Sequence, residues 1–120
     1  MIYTSYFAKL NKLPSDIVPI SIALKPPSWY KGLEYKKLAP SFDILKRWKQ
    51  SHNTAEYIRW FERRVLANLD AGQVFQELSS MAKDKEVVLI CYERIDDFCH
   101  RHLVADWFRK NGYLCKEIIL

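Results

Sequence analysis

The side chains best suited to chemistry lie close together near the end of the chain. An apolar run at residues 87–91 ends in a cysteine, Glu93 follows it, and after a short acidic loop come Cys99, His100 and Arg101. An apolar run without alternation is typical of a strand buried on both faces of a parallel sheet, and a helix is predicted to start at Cys99. Ligands of parallel α/β proteins bind where such a strand ends and the next helix begins. We therefore predict a site that combines a carboxylate, a thiol, an imidazole and a guanidinium.

The start of this last helix has the features of an anion site. If Asp97 caps the helix, residues 99–101 occupy its first turn, where backbone N–H groups have no partner within the helix. The positive end of the helix dipole favours an anion, and a guanidinium adds paired donors that suit a phosphate or a carboxylate. We predict that His100 and Arg101 bind a ligand. If the protein is an enzyme, Cys99 is the predicted nucleophile and Glu93 the predicted base.

Each of these residues also has a purely structural interpretation. Cysteine is among the residue types most often buried, so Cys99 could simply fill space. Arg101 could pair with Asp96 or Glu93, and Glu93 could be an ordinary loop charge. His100 falls on the apolar face of the predicted helix, as a packed histidine would. An alanine at position 101 separates the two cases: it should cost within about 1 kcal/mol if the partner is a ligand, and about 3–5 kcal/mol if it is a buried carboxylate.

Two cysteines and two histidines raise the question of a metal: Cys91, Cys99, His100 and His102. Zinc sites usually contain ligand pairs at short spacing such as C-x2-C. Here the spacing is C-x7-C, and the two cysteines lie on different predicted elements, so we predict no metal site. The chain has three cysteines, an odd number without the spacing of a disulfide framework. We therefore expect reduced thiols, with Cys99 bound neither to another cysteine nor to zinc.

Further candidate binding residues come from the first half of the chain. Thr4 and Ser5 end the first predicted strand, and their hydroxyls are expected to face the same crevice if that strand neighbours the one at 87–91. The loop at residues 25–32 leaves the second strand at the same edge and offers Lys25 and Trp29. Lysine can meet a phosphate and a flat ring can stack on a base. Alternatively, Trp29 anchors the loop onto the core.

Length and composition limit the class of protein. The chain has 120 residues, 14% of them aromatic, which suits one globular domain over residues 1–120. No apolar run approaches the roughly 20 residues of a membrane helix, and the N-terminus shows no signal peptide. We therefore expect a cytoplasmic protein with no membrane partner. A net charge of +5 permits phosphate-bearing partners, including nucleic acid, without proving them. No P-loop or dinucleotide fingerprint is present, so the sequence names no cofactor.

The predicted elements arrange these residues around one sheet. Strands are predicted near 2–7, 17–24, 87–91 and 113–120, and helices over 42–50, from Asn53 towards 69, around 74–78 and over 98–110. Pro19 cannot donate to a ladder, so the second strand should be an edge or should begin only after it. The strand–helix–strand unit at the end predicts a parallel crossover. We predict a small three-layer, Rossmann-like α/β domain: a mostly parallel four-stranded sheet, helices on both faces, and the strands at 2–7 and 87–91 adjacent and parallel.

Several motifs in the chain are similar to those of the domain of unknown function 488 family. The matching residues are Cys91-Tyr92-Glu93, Cys99-His100-Arg101, Leu103, Ala105, Trp107 and the opening Tyr3-Thr4-Ser5. The segment at residues 27–40 resembles a short branch that is often borne by phages or mobile elements. The resemblance implies a Rossmann-like domain with a polar site at the strand ends, and it implies no established reaction. Many members place an arginine where this chain has Lys25.

Two classes of function follow from these observations. The first is an α/β domain that binds a nucleotide or another phosphate-bearing small molecule at the strand ends, and it could carry hydrolase or transferase chemistry. The alternative is a non-enzymatic module that binds nucleic acid or a protein, such as a component of phage–host conflict. Whether the protein is an enzyme is left open by the sequence. Salt dependence would separate the two classes, because binding to a nucleic-acid backbone weakens steeply with salt.

Overall fold

Five parallel strands form a single sheet in the computed structural model, which describes residues 1–92 and 98–118. The strands are β1 (Ile2–Tyr6), β2 (Ile17–Ser21), β3 (Leu33–Glu34), β4 (Glu86–Cys91) and β5 (Cys115–Glu117), in the order β3-β2-β4-β1-β5. Every pairing in the sheet is parallel. The predicted Rossmann-like α/β class is therefore confirmed. The sheet has one strand more than predicted, because the two residues of β3 are too few to produce a recognisable pattern.

The central pair of strands is the one predicted from the sequence. β1 runs beside β4 in register from Ile2 opposite Val87 to Tyr6 opposite Cys91. Because the two strands are parallel, their carboxyl ends meet at the same edge of the sheet. This arrangement carries the residues that follow β4 to the edge where a ligand site is expected.

Pro19 restricts β2 less than the sequence suggested. The strand begins at Ile17, before the proline, and pairs with β4 along its whole length. On its other side β3 pairs only with Ile20 and Ser21. The part of β2 that contains Pro19 is therefore an edge on that side, where a missing N–H costs no ladder hydrogen bond, and only its last two residues are enclosed by strands on both sides.

Four α-helices accompany the sheet: α1 (Phe42–Ser51), α2 (Thr54–Arg64), α3 (Ala71–Met81) and α4 (His100–Lys110). Side-chain caps begin three of them, since Ser41, Asn53 and Asp70 each accept a hydrogen bond from a backbone N–H three residues ahead. The predicted starts near 42 and 53 are therefore confirmed. The helix predicted to continue to 69 instead ends at Arg64 and is followed by a 3₁₀ turn at Leu66–Asn68. None of the described helices is long and apolar enough to cross a membrane.

The two faces of the sheet are covered differently. All four α-helices contribute buried side chains to one large core together with Ile2, Val87 and Leu89. The opposite face, with Val88 and Ile90, is covered by the 3₁₀ helix Phe7–Lys12 and by the loop around Tyr30. The prediction of helices on both faces therefore holds only in part, because the short link between β1 and β2 forms a 3₁₀ turn instead of an α-helical layer.

Candidate functional site

A cavity of about 710 Å³ opens at the carboxyl ends of β2 and β4, and we call it the strand-end cavity. Its wall is formed by the residues after β2, by α1 and Tyr57 of α2, by the end of β4 and by the start of α4. The volume falls within the range of small-molecule sites, about 300–1,000 Å³. The position agrees with the rule that ligands of open parallel sheets bind beyond the carboxyl ends of the strands.

Basic side chains give this cavity its electrostatic character. Lys25 follows β2, and Lys46 and Lys49 project from α1 into the same lining. The described part of the lining contains no carboxylate. Three ammonium groups without a described counter-charge make the potential here positive, which favours an anionic ligand.

Aromatic rings form the apolar part of the wall. Trp48 stacks on Phe98 with 5.6 Å between ring centroids, and Tyr57 meets Phe98 edge-on at 4.9 Å. The indole Nε1 of Trp48 is buried and has no hydrogen-bond partner among the described residues. Because buried donors in proteins are nearly always satisfied, this N–H is a candidate contact for a polar atom of a ligand.

His100 is held as a neutral imidazole below the cavity. Its Nε2 lies 2.8 Å from the carbonyl oxygen of Ile22, which can only accept, so Nε2 carries the proton and donates it. Burial lowers the pKa of His100 to about 4, and the charges of Arg101 and His102 act in the same direction, while the bond to Ile22 opposes them. The other nitrogen, Nδ1, therefore carries a lone pair, and it lies 3.9 Å from Cys99 Sγ.

A disulfide joins Cys91 to Cys99, with the two Cα atoms 7.4 Å apart. The expectation that Cys99 is unbridged was therefore wrong. The reason is that the last residue of β4 and the N-cap of α4 lie close together in space. The fold therefore brings together two cysteines whose spacing in the sequence suggested no pairing. Cys99 is the N-cap residue of α4 and makes no side-chain capping hydrogen bond, while Asp97, the predicted cap, lies outside the described residues. Cys115 is buried and unbridged, and burial raises the pKa of its thiol to about 11.

Arg101 lies in a buried ionic network and does not contribute to the lining of the cavity. Its side chain is 0% exposed and forms two parallel hydrogen bonds of 3.0 Å to the carboxylate of Glu117 in β5. A third donor, Nη1, lies 3.1 Å from Cys91 Sγ. Thr4 Oγ1 donates to the same carboxylate at 2.5 Å. A protein carboxylate thus pairs with Arg101, as the structural interpretation required, but it belongs to Glu117. The two candidates named from the sequence, Asp96 and Glu93, lie outside the described residues.

Only some of the remaining predicted site residues meet at the strand-end cavity. Ser5 is fully buried and alternates with Thr4, so the two hydroxyls point to opposite faces and do not share a crevice. Trp29 is 60% exposed, contacts Phe7 edge-on at 6.1 Å, and is not part of the cavity lining. Lys25 does line the cavity, as do Cys99 and His100. Glu93 lies outside the described residues.

Sequence reasoning missed the contribution of α1 to the site. Lys46 and Lys49 are three residues apart, so they share a face of the helix beside Trp48. This pairing of basic and aromatic residues on one side of an amphipathic helix was visible in the sequence. What the sequence did not reveal is that this side of α1 faces the ends of β2 and β4.

The sheet order and the strand-end cavity define an α/β domain of the Rossmann-like class. Within that class the chain belongs to the DUF488-N3a family, described as the active DUF488-N3 subclade, whose sequence profile matches residues 10–112. The resemblance to the domain of unknown function 488 family is thereby confirmed. No match was found among curated proteins or among solved structures.

Proposed function

We propose that this protein binds a nucleotide, or a closely similar small molecule with a phosphate and a flat ring, in the strand-end cavity. The observation that carries the proposal is the composition of the described lining: three lysines and no carboxylate, beside a wall of aromatic rings. Membership of the family supports the α/β class but names no ligand. The strand-end position is the usual one for nucleotides in domains of this class.

The two parts of such a ligand have different partners in the cavity. The phosphates would meet the ammonium groups of Lys25, Lys46 and Lys49. The backbone N–H groups in the first turn of α4 add donors with a favourable dipole, and this helix begins at His100, in the cavity wall. The base would lie against the Trp48–Phe98 pair, where aromatic stacking contributes about 1–3 kcal/mol per base.

Binding is the function that the geometry supports best, ahead of catalysis. No carboxylate in the described lining is available as a general base, and Cys99 is bridged to Cys91. The catalytic roles of Glu93 and Cys99, and any hydrolase or transferase chemistry, stay predictions.

Replacement of Lys46 by glutamine tests the proposal. We expect isothermal titration calorimetry to detect binding of ATP or ADP to the wild type, and the substitution to weaken that binding at least about tenfold. The reason is the loss of a hydrogen bond to a charged group, worth about 1.5–3 kcal/mol. Comparison of AMP with ribose 5-phosphate then reports the contribution of the base.

The matched control is Lys110→Gln, which removes the same charge from an exposed position at the far end of α4. This variant should bind nucleotides as the wild type does. If both substitutions weakened nucleotide binding equally, the effect would be one of overall charge and would contradict binding in the strand-end cavity. The absence of nucleotide binding to the wild type would also contradict the proposal. Tighter binding of single-stranded oligonucleotides than of any mononucleotide, with a steep dependence on salt, would favour the nucleic-acid-binding alternative instead.

A further inference from the structure

We infer that the reduced protein binds one zinc ion through Cys91 Sγ, Cys99 Sγ and His100 Nδ1. All three residues are buried, and one ligand atom from each lies within 4.8 Å of the others. Two thiolates and an imidazole are among the ligand types that zinc prefers. No other group of this kind occurs among the residues that the structure describes.

The fold creates this ligand set from two different elements. Cys91 is the last residue of β4, Cys99 is the N-cap of α4, and His100 is the first residue of that helix. The ligands are therefore fixed by the packing of the strand end against the helix start. The sequence argued against zinc because the cysteines are far apart in the chain and lie on different elements. The packing of those two elements nevertheless brings the ligand atoms within 4.8 Å of one another.

The surroundings of the three residues orient them as metal ligands. The Nε2–H of His100 donates to the Ile22 carbonyl at 2.8 Å and so directs the lone pair of Nδ1 towards the sulfur atoms. A bond from the second ring nitrogen to a carbonyl is the usual support of a zinc-bound histidine. On the other side, Arg101 Nη1 donates to Cys91 Sγ at 3.1 Å, which stabilises a thiolate. The positive charge of this arginine is balanced by Glu117, so it opposes a cation less than a lone guanidinium would.

The disulfide and the metal exclude each other, so zinc binding requires reduction. A dithiol or a trialkylphosphine supplies two electrons, the S–S bond breaks, and two protons complete the two thiols. Zinc then binds and displaces both protons, leaving two Zn–S bonds and one Zn–N bond.

Three ligands from the described residues leave the fourth position of a tetrahedral zinc to a group outside this set. Cys91, Cys99 and His100 all contribute to the wall of the strand-end cavity, so a zinc ion held by them would border the cavity. Sites with three protein ligands and an open position are typical of zinc that meets water or a ligand, whereas structural zinc usually has four protein ligands.

Cobalt(II) substitution tests the inference on the full chain. The protein is reduced with a trialkylphosphine without oxygen and is titrated with cobalt(II), which gives a thiolate charge-transfer band and the visible bands of a tetrahedral site. We expect these bands to saturate at one equivalent and to disappear on addition of zinc. Native mass spectrometry should then find a single zinc on the reduced protein and none on the oxidised protein.

Cysteine variants assign the ligands. Cys91→Ser and Cys99→Ser should each lose most of the charge-transfer intensity, while Cys115→Ser, which alters the buried unbridged cysteine outside the cluster, should keep the wild-type spectrum. Circular dichroism of each variant reports whether it is folded. The inference is overturned if the reduced wild type shows no tetrahedral cobalt spectrum, or if folded Cys91→Ser and Cys99→Ser variants keep the spectrum unchanged. Nucleotide binding by a reduced, metal-free protein would leave the proposed function standing independently of this result.

Discussion

Replacing Arg101 by alanine is expected to lower the free energy of unfolding by about 3–5 kcal/mol. The guanidinium is 0% exposed and forms two hydrogen bonds with Glu117. Alanine would leave this carboxylate largely buried without its counter-charge, and would also remove the donor to Cys91. Removing one partner of a buried ion pair is costly because the remaining charge stays out of water and has no opposite charge to stabilise it.

Urea denaturation followed by circular dichroism measures this loss, and two variants sharpen the interpretation. Glu117→Gln keeps the shape of the side chain but leaves the buried guanidinium without a negative partner, so it should also destabilise strongly. The double variant Arg101→Met/Glu117→Leu removes both charges and should recover part of the loss, because apolar replacement of a whole buried pair is often neutral or stabilising.

The matched control for this prediction is Arg47→Ala. Arg47 also pairs with a glutamate, Glu56, at 2.9 Å, but the arginine is exposed. Exposed pairs contribute about 0–1 kcal/mol, so this variant should remain close to the wild type. A loss within about 1 kcal/mol for Arg101→Ala as well would contradict the structural role and return Arg101 to the ligand-binding role predicted from the sequence.

Replacing Phe61 by alanine should lower the free energy of unfolding by about 3–5 kcal/mol. The ring is 0% exposed, stacks on Tyr57 at 6.1 Å between centroids and meets the ring of His100 edge-on at 5.4 Å. Its removal therefore loses apolar burial and leaves a void between α2 and the start of α4. Thermal and urea denaturation, analysed as a two-state transition, measure the change.

Phe42→Ala provides the control for this second prediction. Phe42 is 67% exposed at the start of α1, so the same substitution should change the free energy of unfolding by only about 0.5 kcal/mol. If Phe61→Ala lowered the free energy of unfolding as little as Phe42→Ala does, the core would be able to rearrange and fill the space of the missing ring. That result would contradict the prediction. Phe61→Leu should be intermediate, because it retains part of the buried apolar volume.

Most secondary structure followed from short stretches of sequence. The apolar run that ends at Cys91 indicated a buried parallel strand, and two helices were predicted to begin near residues 42 and 53, as they do. These signals act over a strand or a single helical turn, so the chain encodes them locally. Two elements were predicted wrongly. β3 was missed because it has only two residues. The end of α2 was placed too late because apolar residues continue beyond Arg64 into a 3₁₀ turn.

The partners of the chemically active residues depended instead on the tertiary structure. The sequence placed carboxylates close to Arg101 in the acidic loop, but it gave no reason to choose Glu117, which approaches Arg101 and Thr4 because β5 lies beside β1. Contacts between residues far apart in sequence depend on how whole elements pack, which no local pattern encodes.

The sequence alone therefore determined the α/β class, the adjacent parallel strands β1 and β4 and the cluster of functional groups around Cys99. Only the tertiary structure decided which of those groups meet. It joined Cys99 to Cys91, turned Arg101 away from the cavity and brought lysines of α1 to face the start of α4. The physical reason is that periodicity and capping select each element through neighbouring residues, whereas burial of the common core selects the arrangement of the elements.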